Sequence, residues 1–188
     1  IKECDWSSGV CSSDLATVWA LQNNGTLWSW GSNLNYQLGL NTTGGNVSSP
    51  TQVGASSIWT KIFAAESGLY AVGIQSDGSL WGWGNNQFGQ LGLNDTTYRL
   101  SPVQLMTGQS NGWSTVACGY GHTVMINTAG AMWVVGTNTY GALGLNDTTN
   151  RSSPVQMPGL WATAAAGNNY TLAANSYYVW GWGYNQYG

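Results

Sequence analysis

The groups in this sequence best able to do acid–base, covalent or metal chemistry are one histidine, a few carboxylates, two arginines in phase and three cysteines. His122 is the only imidazole. A nucleophile triad built on it would need an activated hydroxyl, and no Gly-x-Ser-x-Gly elbow accompanies it. Asp95 and Asp147 stand in twin Asn-Asp-Thr-Thr stretches, where an Asp side chain typically accepts backbone N–H groups and caps a turn. One carboxylate per loop is too sparse for calcium. Arg99 and Arg151 recur four residues later in each stretch and are expected to pack or pair near those turns. Cys4 and Cys11 invite a disulfide or a metal pair, while Cys118 stands apart as a small apolar residue suited to burial. The triplets at Asn24, Asn94 and Asn146 fit glycosylation acceptors but follow from an Asn- and Thr-rich composition. No catalytic residue, metal ligand or cofactor is expected from these groups.

What the sequence does carry is a recurring element, Trp-x-Trp-Gly. It occurs at Trp28-Ser29-Trp30-Gly31, Trp81-Gly82-Trp83-Gly84 and Trp180-Gly181-Trp182-Gly183, with a weakened copy at Trp133-Val134-Val135-Gly136. The first tryptophans are 53, 52 and 47 residues apart. In a strand, alternate side chains share a face, so both rings of a copy project to one side and can fill the space between stacked sheets. Trp28, Trp81 and Trp133 are expected to be buried in that space.

Around this element each unit replays one order. An apolar, β-branched run (17–21, 70–74, 122–126 and again from 170) leads into a turn signal: Asn23-Asn24-Gly25, Ser76-Asp77-Gly78 or Ala129-Gly130. Glycine there supplies the positive φ of a tight hairpin. The tryptophan strand follows, then a polar Gly-containing stretch, a third strand after Pro50, Pro102 or Pro154, and a closing strand at 59–64, 113–117 or 161–165. Four strands of about five residues with short turns occupy roughly 50 residues, with no helical periodicity. The period therefore predicts an all-β chain, a partial β-propeller of three four-stranded blades and the start of a fourth, with repeats over 17–69, 70–121, 122–169 and 170–188.

The first fifteen residues are set apart. Asp5 to Leu15, DWSSGVCSSDL, resembles the translation of a common sequencing-library adapter, and residues 1–15 are read as an artefact outside the fold, which removes Cys4 and Cys11 from consideration. From residue 16 the acids are Glu66, Asp77, Asp95 and Asp147 and the bases Lys61, Arg99 and Arg151, 4 against 3 for a net charge of −1. No basic stripe follows a phosphate backbone, so nucleic acid is not an expected partner. No apolar run is long enough to span a membrane as a helix. Twelve Trp and 27 Gly with only 6% charged residues argue against disorder.

The landmarks Gly78-Ser79-Leu80-Trp81-Gly82-Trp83-Gly84-Asn85, Gly89-Gln90-Leu91-Gly92-Leu93, the run from Asn94 to Val103, and Trp113 to Thr123 resemble the repeats of the regulator of chromosome condensation family. The resemblance covers residues 16–188. It implies a seven-bladed propeller in the intact protein and gives His122, with Tyr70 and Tyr170 at the equivalent step, a structural role: a hydrogen bond within its own blade. Trp28, Trp30, Gly31, Trp81, Trp83, Gly84, Trp133, Gly136, Trp180, Trp182 and Gly183 become structural repeat positions. A propeller opened at this point would expose blade faces and be prone to self-association.

Connections vary where strands cannot. From proline to the next tryptophan the spacing is 9, 11 and 7 residues, and rim loops are where propellers bind. The longest contains Gly108, Gln109, Ser110 and Asn111, a candidate contact loop. The expected function is a non-enzymatic recognition module for a protein partner, in a bacterial or phage-associated protein at an extracellular, cell or virion surface. Carbohydrate binding through the aromatic rings is the alternative, and guanine-nucleotide exchange follows only by analogy with the family founder.

Overall fold

The computed structural model describes residues 17–109 and 112–186. Among these there are fourteen strands and no helix, hence no helix long and apolar enough to cross a membrane. The expectations on residues 1–15, and on Ser110 and Asn111, lie outside the described residues.

The strands form four antiparallel sheets in chain order. The first contains β1 (Thr17–Leu21), β2 (Leu27–Gly31) and β3 (Val47–Gln52). The second contains β4 (Trp59–Ala64), β5 (Tyr70–Gln75), β6 (Leu80–Gly84) and β7 (Arg99–Leu105). The third contains β8 (Trp113–Cys118), β9 (His122–Asn127), β10 (Met132–Gly136) and β11 (Arg151–Met157). The fourth contains β12 (Thr163–Ala166), β13 (Tyr170–Ala174) and β14 (Val179–Gly183). Each sheet is a meander with sequential neighbours paired, which is the blade of a propeller.

The sequence period and the sheet are offset by one strand. The strands beginning at Trp59 and Trp113, read from sequence as closing their units, instead open the next sheet, pairing with β5 and β9. The reason is local. Residues 65–69 close a short hairpin, with Ala65 N–H donating to Tyr70 O at 3.1 Å, and short loops cost little closure entropy. The connection after β3 instead crosses to the next sheet, where Trp59 N–H donates to Gly25 O at 3.1 Å.

Strands β3, β7 and β11 also start earlier than expected, three residues before Pro50, Pro102 and Pro154. A proline marks a strand boundary only where its missing N–H is needed. These strands pair on one side only, and an edge tolerates it. Their register shifts beside the Trp-x-Trp-Gly glycine: Gly82 faces Val103, but Gly84 faces Arg99. At Gly84 φ is +95°, and a Cβ there would lie 2.6 Å from Leu69 O and 2.8 Å from Tyr70 Cα. Gly84→Ala is therefore expected to destabilise the fold by about 2 kcal/mol or more, read as a fall in melting temperature.

The core lies in the three seams between sheets. Trp83 and Trp59 meet Leu27 and Val53 at the first seam. Trp133 and Val135 meet Leu80, Leu91 and Leu105 at the second. Ala173 and Trp182 meet Val134 and Leu143 at the third. The tryptophan face of each blade thus points to the preceding blade. The opposite face of the fourth sheet is open, with Tyr170, Leu172 and Val179 exposed.

Candidate functional site

Two regions are built by the repeat: the seams, and the rims where connections gather. Because the strands alternate in direction, the β4–β5 and β6–β7 connections share one rim with their counterparts, here the upper. The β5–β6 turn and the sheet-to-sheet connection share the lower.

One donor–acceptor pattern closes each seam. The carbonyls of Gln37, Gln90 and Ala142 stand at the same step of the repeat. Gln37 O accepts from Trp19 Nε1 at 3.0 Å and from Trp83 Nε1 at 2.9 Å. Ala142 O accepts from Trp182 Nε1 and Thr171 Oγ1, each at 2.8 Å. At the middle seam Val135 stands in place of the second tryptophan, and the threonine bond remains, Thr123 Oγ1 donating to Gln90 O at 2.8 Å. The exchange leaves no seam carbonyl unpaired, as burial requires.

His122 belongs to this pattern. It is fully buried, and its Nε2 lies 2.9 Å from Thr171 Oγ1 on the fourth sheet. The bond expected within its own blade is therefore made across a seam. The reason is that β9 faces the neighbouring blade with alternate residues, and a side chain of this length reaches over. Thr171 commits its single proton to Ala142 O, which assigns the ring proton to Nε2. Among the described residues Nδ1 has no hydrogen-bond partner. Burial lowers the His122 pKa to about 4, so the ring is neutral near pH 7. A Cβ at position 119 would come within 2.4 Å of the ring, so Gly119 is the space it occupies. Tyr70 repeats the arrangement one seam earlier, its hydroxyl donating to His122 O at 2.7 Å.

The Asn-Asp-Thr-Thr stretches are turn caps, as their composition suggests. Asp95 accepts from Arg99 Nη2 at 2.6 Å, Thr97 N–H at 2.9 Å and Asn86 Nδ2 at 3.1 Å. The Arg99 hydrogen bond is the main cause holding its carboxyl below the usual value. Asp147 repeats this with Thr149 N–H at 2.8 Å, Arg151 at 2.6 Å and Asn138 at 3.0 Å. Its carboxyl is likewise lowered, first by the Thr149 N–H. Both pairs are exposed enough to contribute little stability. Burial pushes the Cys118 thiol up to about 12, so it is no nucleophile near neutral pH. Among the described residues no group of three or more His, Cys, Asp or Glu could hold a metal ion.

The upper rim carries a different feature. Tyr36, Phe88 and Tyr140 recur 52 residues apart, and each meets a second ring across a seam. Tyr36 lies edge-on to Tyr98 at 6.0 Å, Phe88 is tilted against Tyr120 at 6.5 Å, and Tyr140 is edge-on to Tyr184 at 4.7 Å. Tyr120, Tyr140 and Tyr184 are exposed. Amides stand beside them: Asn85 Nδ2 lies 3.2 Å from the Tyr98 hydroxyl, which in turn donates to Gln87 at 3.2 Å. Aromatic rings with hydroxyl and amide groups at their margins form the composition of a recognition surface.

The sequence reading passed over this row. The 52-residue recurrence of its first members was a visible signal, hidden by the stronger Leu-Gly-Leu run beside it. Their partners Tyr98, Tyr120 and Tyr184 occupy three different steps of the repeat, so no periodicity marks them. The candidate loop lies elsewhere: Gly108 and Gln109 are exposed on the lower rim, not joined to the aromatic row. Of the tryptophans expected in the seams, Trp133 is buried, whereas Trp28 and Trp81 are half-buried. Both lie near the lower rim, where their indole N–H groups donate to Thr26 Oγ1 at 3.0 Å and Ser79 Oγ at 2.8 Å.

The regulator of chromosome condensation repeat matches this chain at residues 24–72, 77–126 and 129–174. The ultraviolet-B receptor UVR8 of Arabidopsis thaliana is 33% identical over 174 residues, 90% of this chain and 39% of the receptor. The probable E3 ubiquitin-protein ligase HERC4 of Homo sapiens is 31% identical over 158 residues, 82% of this chain and 15% of the ligase. Human WBSCR16 superposes with a TM-score of 0.75 at 25% identity, covering 89% of this chain and 45% of that one. Yeast RCC1 (Prp20), solved bound to Kap60, gives 0.74 at 20% identity over 88% and 42%. The chain thus spans less than half the length of each.

Proposed function

We propose, from the premise that this chain belongs to the regulator of chromosome condensation repeat family, that it is a non-catalytic module that recognises a protein through its upper rim. The observation carrying this is the row of three ring pairs on one rim, their first members in phase and each pair bridging a seam. Rigid rings supply contact area at low entropic cost, and partner amides supply direction. Yeast RCC1 (Prp20), whose fold this chain shares, was solved bound to Kap60, which supports a protein as the class of partner. The ligase activity named for HERC4 is not carried over from a match to 15% of its length. Guanine-nucleotide exchange has no described residue here to support it. The tryptophans on which carbohydrate binding was expected are buried or have satisfied N–H groups.

The test is cross-linking capture from a source lysate with the chain and with its Tyr120→Ala/Tyr140→Ala/Tyr184→Ala variant. Loss of one captured protein at unchanged melting temperature, with retention by Gln109→Ala, is expected. Capture undiminished by the triple variant would overturn the upper rim as the contact surface.

A further inference from the structure

The first strands of three sheets, β4, β8 and β12, lie side by side. Each turns at the upper rim into the next strand of its own sheet, and one bond closes all three turns. Ala65, Gly119 and Gly167 N–H donate to Tyr70, His122 and Tyr170 O at 3.1, 2.9 and 3.0 Å. The residues that follow these donors are Glu66, Tyr120 and Asn168, and all three are exposed. One step of the repeat thus carries a carboxylate, a ring and an amide on three neighbouring sheets. The turn of the second sheet is the long one, with Glu66 to Leu69 standing where the others have only Tyr120-Gly121 and Asn168-Asn169. It leans on its neighbour: Glu66 N–H donates to Cys118 O at 3.3 Å and Ser67 Oγ to Tyr120 O at 3.4 Å. Tyr120 N–H donates onward to Gly167 O at 3.3 Å, beside Asn168. Bonds to the main chain therefore hold Glu66, Tyr120 and Asn168 in one row.

The polar ends of this row are unspent. Among the described residues the Glu66 carboxylate and the Asn168 side-chain amide have no hydrogen bond or ion pair. The described bases are committed elsewhere. Arg99 pairs with Asp95 and Arg151 with Asp147, each at 2.6 Å, and Lys61 Nζ donates to Ser114 O at 2.7 Å, at the far end of β8 from Tyr120. Asp77 belongs to the lower rim, where it accepts from Ser79. Glu66 is thus the one uncompensated charge on the upper rim among the described residues. The ring beside it is held in place: Phe88 is tilted against Tyr120. Phe88 itself is seated on Gly121, where a Cβ would come within 2.6 Å of it. Tyr120 nonetheless remains 41% exposed.

We propose that the row Glu66, Tyr120 and Asn168 receives an arginine side chain of the partner protein. The guanidinium stacks on the exposed Tyr120 ring, donates to the Glu66 carboxylate on one side and gives a remaining N–H to the Asn168 amide oxygen on the other. A planar cation with several donors in a fixed fork suits an acceptor, a ring and a second acceptor in line. An ammonium is a compact point charge and cannot lie flat on the ring while serving both acceptors. A carboxylate with no cation of its own also selects by sign, drawing a basic segment and opposing an acidic one. The inference rests on the recognition reading, since it takes the upper rim to meet a protein. It deepens that reading by naming the group of the partner that the middle ring pair contacts.

The test is titration of the chain with the blocked peptide acetyl-Gly-Arg-Gly-amide, read by the backbone amide resonances of Glu66, Tyr120 and Asn168. Saturable shifts of all three are expected, with weaker binding of the lysine peptide. The citrulline peptide, which keeps the shape and loses the charge, should leave them unmoved. Glu66→Gln should bind the arginine peptide about fivefold more weakly, and Tyr120→Ala about threefold. Both are exposed turn positions, so the melting temperature should hold. Asp77→Asn is the charge control. It removes one negative charge from the lower rim, where Asn24 already makes the same turn bonds, and it should bind as the parent does. Absent shifts, lysine bound as tightly as arginine, or equal weakening by Asp77→Asn would overturn the proposal. The titration needs no captured protein, so the two readings fail separately. Absent peptide shifts with capture still lost in the upper-rim triple variant remove the arginine site and keep the rim. Peptide binding with capture undiminished removes the rim as the contact for the captured protein and keeps the arginine site.

Discussion

Trp83→Ala is expected to be among the most damaging single substitutions in this chain. Its ring is fully buried and belongs to the seam between the first two sheets. It is edge-on to Trp59 at 5.7 Å, and its N–H is bonded to Gln37 O across the seam. The neighbouring sheet is shaped around it, since a Cβ on Gly39 would lie 2.8 Å from the indole. The seam therefore cannot close over the void without moving backbone on both sides. Removing a buried tryptophan costs about 3–5 kcal/mol, a fall of roughly 10–15 °C in melting temperature for a chain of this size. Trp83→Phe should lose only about a third as much, because Gln37 O keeps its bond from Trp19. Trp28→Ala, at a half-buried ring, should also cost less. Thermal unfolding of the three variants checks the order, and equal losses for Trp83 and Trp28 would show that the seam does not set stability.

The second large effect is on pH. His122 has a folded pKa near 4 against an ordinary 6.5, so between those values the unfolded chain binds a proton that the folded one refuses. Stability is then full above pH 6.5 and falls as pH drops toward 4, by about 3 kcal/mol in all. Among the described residues no carboxylate meets the ring. Its side-chain partner across the seam is the Thr171 hydroxyl, which carries no charge. Asp77, Asp95 and Asp147 titrate below their ordinary 3.8, so the stability they contribute is present above that value and lost beneath it. His122→Tyr is the informative variant, since Tyr70 already serves at the equivalent step of the previous seam. Urea unfolding from pH 7.5 to 3 should show a slope between 6.5 and 4 in the parent, a flat line there in the variant, and a common loss at lower pH. A slope retained by His122→Tyr would assign the effect to another group.

The sequence made the seams legible because two periodicities coincide there. The alternation of Trp81 with Trp83 names a strand face, and the 52-residue spacing names its neighbour. What it did not show was which strand shares a sheet with which. A period states that strand β4 recurs, but not that the short loop after it is a hairpin and the one before it a crossing. The edge position of Pro50, Pro102 and Pro154 was hidden for a related reason, since a proline on a free edge and one before a strand look alike in sequence. His122 was read as a structural position bonded within its blade, yet its ring meets Thr171, 49 residues away, and no local pattern joins them. Rim contacts escaped because rings such as Tyr98 and Tyr120 hold no common step.

The one-strand offset between repeat and sheet bears on how such a chain can be lengthened or divided. A gene segment one period long, copied in tandem at the boundary of the sequence unit, does not insert a finished blade. It inserts three strands of one blade and the first strand of the next, so every junction created by duplication is sewn into a sheet shared by old and new material. An added unit cannot swing free as a bead on a linker; it is locked to both neighbours by main-chain hydrogen bonds from the moment it folds. The same stitching works against division. Cutting near residue 69, where one sequence unit ends, tears β4 from β5, whereas a cut within residues 53–58 passes between sheets and leaves each ladder whole.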